Sequence, residues 1–446
     1  MYLLDDQHME CKMDRENWSG KLGFVLACMG AAIGLGNIWL FPWRLASYGG
    51  AAFLVPYFLF VFGMVVFGLI AELAFGRSQK AGPMGALVKS FSPGHPVMGG
   101  ILGAVPVVAL FGILVFYVIV LGWILKYFFF ALFSGFAGVD PGGLFGGLAG
   151  TTSSIPWHLT AMLLTMIFVA AGIEKGLEQC NKVAMPLFFV LLLVLLLRSL
   201  TLPGSLEGVA YLIKPDWSKL GEITTWVMAL GQSFFTVSLG GMLIYGSYLT
   251  RDVDIPDSAF KTVLMNTSAS LLAAFVIIPS VFAFGLDLQS GPGLLFITMP
   301  RIFESMPQGH LFGTLFFLSV VLAGLSSALN LMEVPVEAVM ERVGLKRPVA
   351  VLLVGGAAFG VGLPLDLNMN LFGTWANIIT IYLFPFGALV IQVAFFWVYG
   401  ADQAIAEINA GSGRVYGVRL KYFLQYGFPL VAVLVLVLGI IYGGIG

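Results

Sequence analysis

Apolar runs separated by short polar stretches dominate the chain, and eleven of them are long enough to cross a bilayer as helices. Their expected bounds are 18–47, 51–76, 98–132, 156–173, 181–200, 222–249, 259–285, 309–341, 347–364, 370–398 and 420–443. Two runs carry internal breaks. The first holds Gly30, Gly34, Gly36 and Asn37 within GAAIGLGNIWLFP, and the sixth holds QSFFTVSLGG over 232–241. Glycine lets the backbone leave helical geometry or approach a ligand, and it also marks tight packing between membrane helices. Inside a bilayer, freed amides and carbonyls are tolerated only where protein or a polar cavity receives them. Two broken spans in corresponding places therefore point to a central site at mid-membrane depth.

The expected fold is an all-α polytopic membrane protein. Helices one to five (about 18–200) and six to ten (about 222–398) form two inverted repeats with their broken first members facing each other, and helix eleven (about 420–443) is peripheral. Residues 1–17 form a polar cytoplasmic segment ahead of a single transmembrane domain, 18–446. With the amino terminus inside, all but Arg44, Lys126, Arg198, Lys214, Lys219 and Arg301 of the 22 Lys and Arg residues fall on the inner side, as the positive-inside rule requires. An odd number of spans leaves the carboxyl terminus outside an inner or plasma membrane.

Composition agrees with that reading. Of 446 residues 59% are hydrophobic and 10% charged, an apolar load that only lipid can cover. A net charge of -1 offers no surface for nucleic acid. Cys11, Cys28 and Cys180 form no spacing motif, and the mixed charge of the first 17 residues is unlike a cleaved signal peptide.

Several polar residues fall inside the apolar runs. Asn37 sits in the first break, Thr236 and Ser238 in the second, Asn266, Thr267, Ser268 and Ser270 on helix seven, and Ser326-Ser327 on helix eight. Oxygen ligands and carbonyls released at a break suit a hard cation such as sodium. Single hydroxyls can also satisfy themselves one turn back, but the cluster beside two breaks favours a site. Tyr117 on helix three either donates to a ligand carboxylate or packs as an aromatic. Glu72 is paired, protonated or bonded to unwound backbone, and is read as support for the site.

The segments WSGKLGFVLACMGAAIGLGNIW, SYGGAAFLVPY, ELAFGR, GQSFFTVSLG, YGSYL and AGLSS together resemble the neurotransmitter:sodium symporters, in particular their amino-acid-transporting bacterial members, over residues 14–443. The resemblance implies two sodium sites: Ala32, Asn37, Thr236 and Asn266 with the substrate carboxylate, and Gly30, Ile33, Ala323, Ser326 and Ser327. It implies that the amino-acid carboxylate lies near Leu35, Gly36 and Tyr117, with Ser238 near its ammonium group. Gly34 stands where amine carriers of the family have an aspartate, which leaves room for an intact α-amino acid. Ile113, Phe235, Thr236 and Leu331 complete a pocket for an apolar or aromatic side chain. Tyr57, Gln232, Thr236, Asn266 and Ser270 match a chloride site, where chloride could supply the charge that an acidic group gives chloride-independent relatives. Arg15 and Trp18, with Tyr248 and Glu341, match an inner gate.

Two departures stand out. Leu40 occupies the place of the family's outer-gate arginine, and Met369–Thr380 contains no acidic partner. Arg44 and Asp366 either substitute or are ordinary outer-face charges, with outer closure left to Tyr117, Phe235 and apolar packing. The chain after Gly240 is also two residues shorter than the family pattern.

These features predict sodium-coupled symport of an amino acid by alternating access. A non-transporting amino-acid receptor and an ion channel fit the same residues. An enzyme does not, because the polar core holds no nucleophile–base array or metal cluster.

Overall fold

The computed structural model describes residues 16–92, 94–235, 240–287 and 293–444, apart from the side chain of Phe235. Every extended element is helical. Among the described residues, nine helices are long and apolar enough to span a bilayer, and a bent pair makes a tenth. That pair is α1, whose halves Lys21–Ala32 and Gly36–Ser47 meet at 58°. The continuous spans are α2 (Ala51–Gln79), α3 (Pro96–Phe133), α4 (Thr152–Ala170) and α5 (Ile173–Leu200). The expected sixth run comprises Ile223–Phe235 and Gly241–Ser247, the two halves of α6, with 236–239 outside the described residues. Then follow α7 (Ile255–Ala283), α8 (Gly309–Val343), α9 (Arg347–Leu367), α10 (Met369–Asn409) and α11 (Val418–Tyr442).

Two boundaries differ most from the sequence reading, both because charge inside a run is neutralised. α5 begins at Ile173 rather than 181: Glu178 pairs with Lys182 at 2.7 Å and accepts from the Ser19 amide at 2.8 Å, so the acidic turn stays helical and buried. α10 runs past 398 through a turn at Gly400 (φ 114°) into an amphipathic stretch that buries Ala404 and Ile408. Arg77 of α2 clamps that stretch, pairing with Glu407 at 2.6 Å and donating to the carbonyls of Val253 and Ala410.

The packing repeats with a period of five helices. α7 lies against both halves of α1, as α2 lies against both halves of α6. α3 and α8 pack on each other. α5 packs on α8 as α10 packs on α3, and α4 packs on α3 as α9 packs on α8. Reciprocal contacts of this kind are what two inverted five-helix units produce, with α11 applied to α10 outside them. The α2–α6 contact is a backbone contact. A β-carbon at Gly76 would overlap the Leu243 carbonyl, and one at Gly246 the Leu73 carbonyl. Small residues permit such an approach between membrane helices, where dispersion rather than a hydrophobic drive holds the pair.

Candidate substrate and ion site

The site begins at the break in α1. Helix ends at Ala32, Ile33 turns extended (φ -81°, ψ 99°), and helix resumes at Gly36. Asn37 binds the gap together. Its Oδ1 accepts from the Gly34 amide at 3.0 Å, and its Nδ2 reaches Asn266 Oδ1 and Ser270 Oγ, each at 2.8 Å. All three side chains are buried. A side chain in the break is thus bonded to the middle of α7, and two residues expected at a chloride site are engaged by Asn37.

A second polar cluster joins α1 to α8. Ala323, Ser326 and Ser327 share one face of α8 by their spacing of three and four residues. Ser327 Oγ lies 3.2 Å from the Gly30 carbonyl, 3.4 Å from that of Ala31 and 3.1 Å from that of Ile33. One hydroxyl proton serves one acceptor at full strength, so this knot of oxygens carries excess negative potential, the property a hard cation requires. Ser326 instead donates to Leu322 of its own helix at 2.8 Å. Sequence reasoning missed Asn181 of α5. Its Oδ1 lies against Gly30, is fully buried, and has no partner among the described residues. Its place in the polar turn that opens α5, beside Glu178 and Lys182, masked it in the sequence.

Beside the break lies a chamber of about 330 Å³. The Leu35 amide donates to the Tyr117 hydroxyl at 3.4 Å. A β-carbon at Gly34 would stand 2.9 Å from Ser327 Oγ and 3.2 Å from the Tyr117 hydroxyl, so glycine keeps this corner open. Gly36, Ile113 and Leu331 line the chamber, and Phe116, Phe372 and Phe384 extend the apolar wall. Thr236 and Ser238 lie outside the described residues, as does the side chain of Phe235.

The two charges weighed as outer-gate substitutes, Arg44 and Asp366, resolve into specific contacts. Arg44 is no outer-face charge: it is 3% exposed, lines the chamber, and donates to Gln232 Oε1 at 2.8 Å. A long side chain on the second half of α1 points back toward the break, and its isolated charge had disguised that direction. Asp366 is fully buried rather than exposed. It accepts from Ser154 at 2.5 Å and meets His158 Nδ1 at 2.7 Å, tying α9 to α4. Tyr57 is packed on Phe41, 5.0 Å between ring centroids.

At the Trp18 end of the bundle, Trp18 Nε1 donates to the Tyr245 carbonyl at 3.1 Å and its ring packs on Tyr248. The Tyr248 hydroxyl donates to Glu333 at 2.9 Å, and Arg347 grips the same carboxylate at 2.7 and 3.1 Å. Glu341, expected with Tyr248 as a partner of the Arg15–Trp18 latch, is exposed and lies against Gly85. Glu333 is two helical turns nearer the chamber and faces α6, so the buried carboxylate takes the tyrosine. Arg15 lies outside the described residues. Glu72 is fully buried, its carboxylate facing the backbone amides of Gly240, Met242 and Leu243 more loosely than a well-formed hydrogen bond.

A multi-pass helical bundle that encloses a ligand-sized chamber at a broken span is the architecture of a secondary transporter. This chain belongs to the Sodium:neurotransmitter symporter family, whose model matches residues 15–137 and 148–443. It is similar to MhsT, solved in complex with L-phenylalanine, at 36% identity and a TM-score of 0.85, covering 95% of this chain and 99% of that one. It is 36% identical over 439 residues to YhdH of Bacillus subtilis, described as an uncharacterized sodium-dependent transporter, covering 94% of this chain and 96% of that protein. A similarly described protein of Methanocaldococcus jannaschii is 33% identical over 452 residues, with coverage of 94% and 89%. The chain is thus a sodium-coupled transporter that spans the membrane many times and works by alternating access.

Proposed function

We propose that the cargo is an α-amino acid with an apolar or aromatic side chain. The observation that carries this reading is the chamber at the α1 break: an amide–phenol pair at Leu35 and Tyr117, an open corner at Gly34, and apolar walls. The substrate carboxylate would meet the Leu35 and Gly36 amides and the Tyr117 hydroxyl, and the ammonium group would face carbonyls at the breaks near Ser238. The side chain would lie among Ile113, Phe235 and Leu331. The phenylalanine in the MhsT structure supports a substrate of this class.

Two sodium ions would accompany it. Ala32, Asn37, Thr236 and Asn266 would hold the first together with the substrate carboxylate. A carboxylate that shares a cation binds more tightly when the cation is present, and by linkage the converse holds. Gly30, Ile33, Ala323, Ser326 and Ser327 would hold the second between α1 and α8, keeping the first half of α1 against the bundle until inward opening releases it. Chloride at Tyr57, Gln232, Thr236, Asn266 and Ser270 would offset their charge. The amino terminus and Trp18 end would face the cytoplasm of an inner or plasma membrane, and the carboxyl terminus would face outside. The repeats would run from about 18 to 200 and from 222 to 398.

The test is uptake of the twenty proteinogenic amino acids into proteoliposomes under an inward sodium gradient. Sodium-dependent accumulation led by apolar or aromatic residues is expected. Accumulation of none of them, or equal accumulation without sodium, would overturn the reading. Replacing external chloride with gluconate tests the chloride assignment, and unchanged uptake would remove it.

A further inference from the structure

Among the described residues, the chamber is lined by a single formally charged side chain, and that side chain is a cation. Arg44 lies in the second half of α1, 3% exposed. Its Nη1 donates to Gln232 Oε1 at 2.8 Å, while its buried Nε has no hydrogen-bond partner among the described residues. A neutral amide oxygen orients a guanidinium without cancelling its charge. Arg44 forms no ion pair among the described residues, and no Asp or Glu lines the chamber. The undescribed stretch that follows the first half of α6, residues 236–239, reads Thr-Val-Ser-Leu and contains no carboxylate.

A buried charge without a counter-charge is costly, and removing water strengthens whatever anion reaches it. Here the surrounding wall is apolar, with Phe372 and Phe384 on the same chamber. Arginine presents its N–H donors in a planar fork that suits a carboxylate and also donates to a halide. The side chain reaches the chamber from one helical turn beyond Leu40 and is already fixed by Gln232, so little rotamer freedom is lost on binding.

We propose that Arg44 and Gln232 form an anion subsite of the chamber that takes one monovalent anionic group, either a free halide or the distal carboxylate of an acidic amino acid. The inference rests on the reading of the chamber as the cargo site. The chloride set named above contains Gln232 but no cation, and Arg44 supplies one. With a free halide the cargo's side chain stays apolar. With a distal carboxylate the cargo itself carries the charge.

The experiment is thermal melting of the purified full-length protein in sodium gluconate, titrated at constant sodium with sodium chloride and, in a separate chloride-free series, with sodium L-glutamate and sodium L-aspartate. One of the two anion classes should raise the melting temperature saturably. A response to chloride identifies a free halide, and a response to the acidic amino acids identifies a distal carboxylate. In Arg44→Gln the half-saturating concentration should rise by at least about tenfold, as the loss of a charge-assisted bond implies. Arg44→Lys keeps the charge without the fork and should fall between the two. No saturable response in the unmodified protein would overturn the proposal, as would an unchanged half-saturation in Arg44→Gln. Should Arg44→Gln fail to fold, Arg44→Lys decides alone: half-saturation raised several-fold supports the subsite, and an unchanged value overturns it. Sodium-driven uptake of neutral amino acids does not enter this readout, so failure of the subsite and failure of the transport reading remain separate results.

Discussion

Asn37 Nδ2 stands 2.8 Å from Asn266 Oδ1, a buried hydrogen bond that joins the interruption of α1 to the centre of α7. The same nitrogen is 2.8 Å from Ser270 Oγ, and the Asn37 carbonyl oxygen takes the Gly34 amide. One side chain therefore holds the broken backbone in shape and fixes it to a neighbouring span.

Asn37→Ala should uncouple cargo binding from sodium. Each buried group left without its partner costs about 1–3 kcal/mol. The sodium concentration for half-maximal amino-acid binding should rise by about tenfold or more. Scintillation-proximity binding over a sodium titration measures it. Undiminished uptake in the variant, independent of sodium, would defeat the role of Asn37.

The spans were legible because their apolar runs exceed the thickness of a bilayer, and the first break because glycine and asparagine are conspicuous within such a run. Ends that depend on paired charge were not. Glu178 and Lys182 read as the polar end of a helix until the structure brings them together with Ser19. The same limit hid Arg44 and Asp366. A single charge near a span's end reads as solvated, and burial beside Gln232 or His158 depends on helices nearly two hundred residues or more away in the chain. Tyr248 shows a third case: the resemblance placed it at the latch without naming Glu333, and only the packing of α6 on α8 brings that buried carboxylate to its hydroxyl.

Ser327→Ala should weaken sodium binding without removing the chamber. The substitution deletes the oxygen around which the carbonyls of Gly30, Ala31 and Ile33 gather, and leaves the Tyr117 contact with Leu35 in place. The sodium dependence of binding should become less steep and shift several-fold to higher sodium. Ser326→Ala should have the smaller effect, because that hydroxyl bonds within its own helix. Equal effects of the two substitutions would contradict the assignment.

Gly246→Ala should destabilise the fold. Its added carbon would meet the Leu73 backbone, which has no rotamer with which to yield. Overpacking of this kind costs about 1–3 kcal/mol. The comparison is Gly63→Ala, where no atom lies within 4 Å of the new carbon. Thermal melting in detergent should show a clear drop for the first and almost none for the second.

Tyr248→Phe should bias the transporter toward opening at the Trp18 end. Glu333 and Arg347 lie on α8 and α9, so their two-pronged contact survives the change. The lost bond, 2.9 Å from the Tyr248 hydroxyl to Glu333, is the one that ties α6 to that pair. A hydrogen bond to a charged group contributes about 1.5–3 kcal/mol, and where the closed and open forms are close in energy even 1 kcal/mol shifts their ratio about fivefold. Cys28 reports the shift, since it is buried on the first half of α1 and free. With Cys11 and Cys180 replaced by serine, maleimide should label Cys28 several-fold faster in the variant, most clearly without sodium. Sodium should slow the reaction in both proteins, because an ion held between α1 and α8 keeps that half-helix seated. Equal labelling rates in the two proteins would mean that the Tyr248–Glu333 bond plays no part in closure.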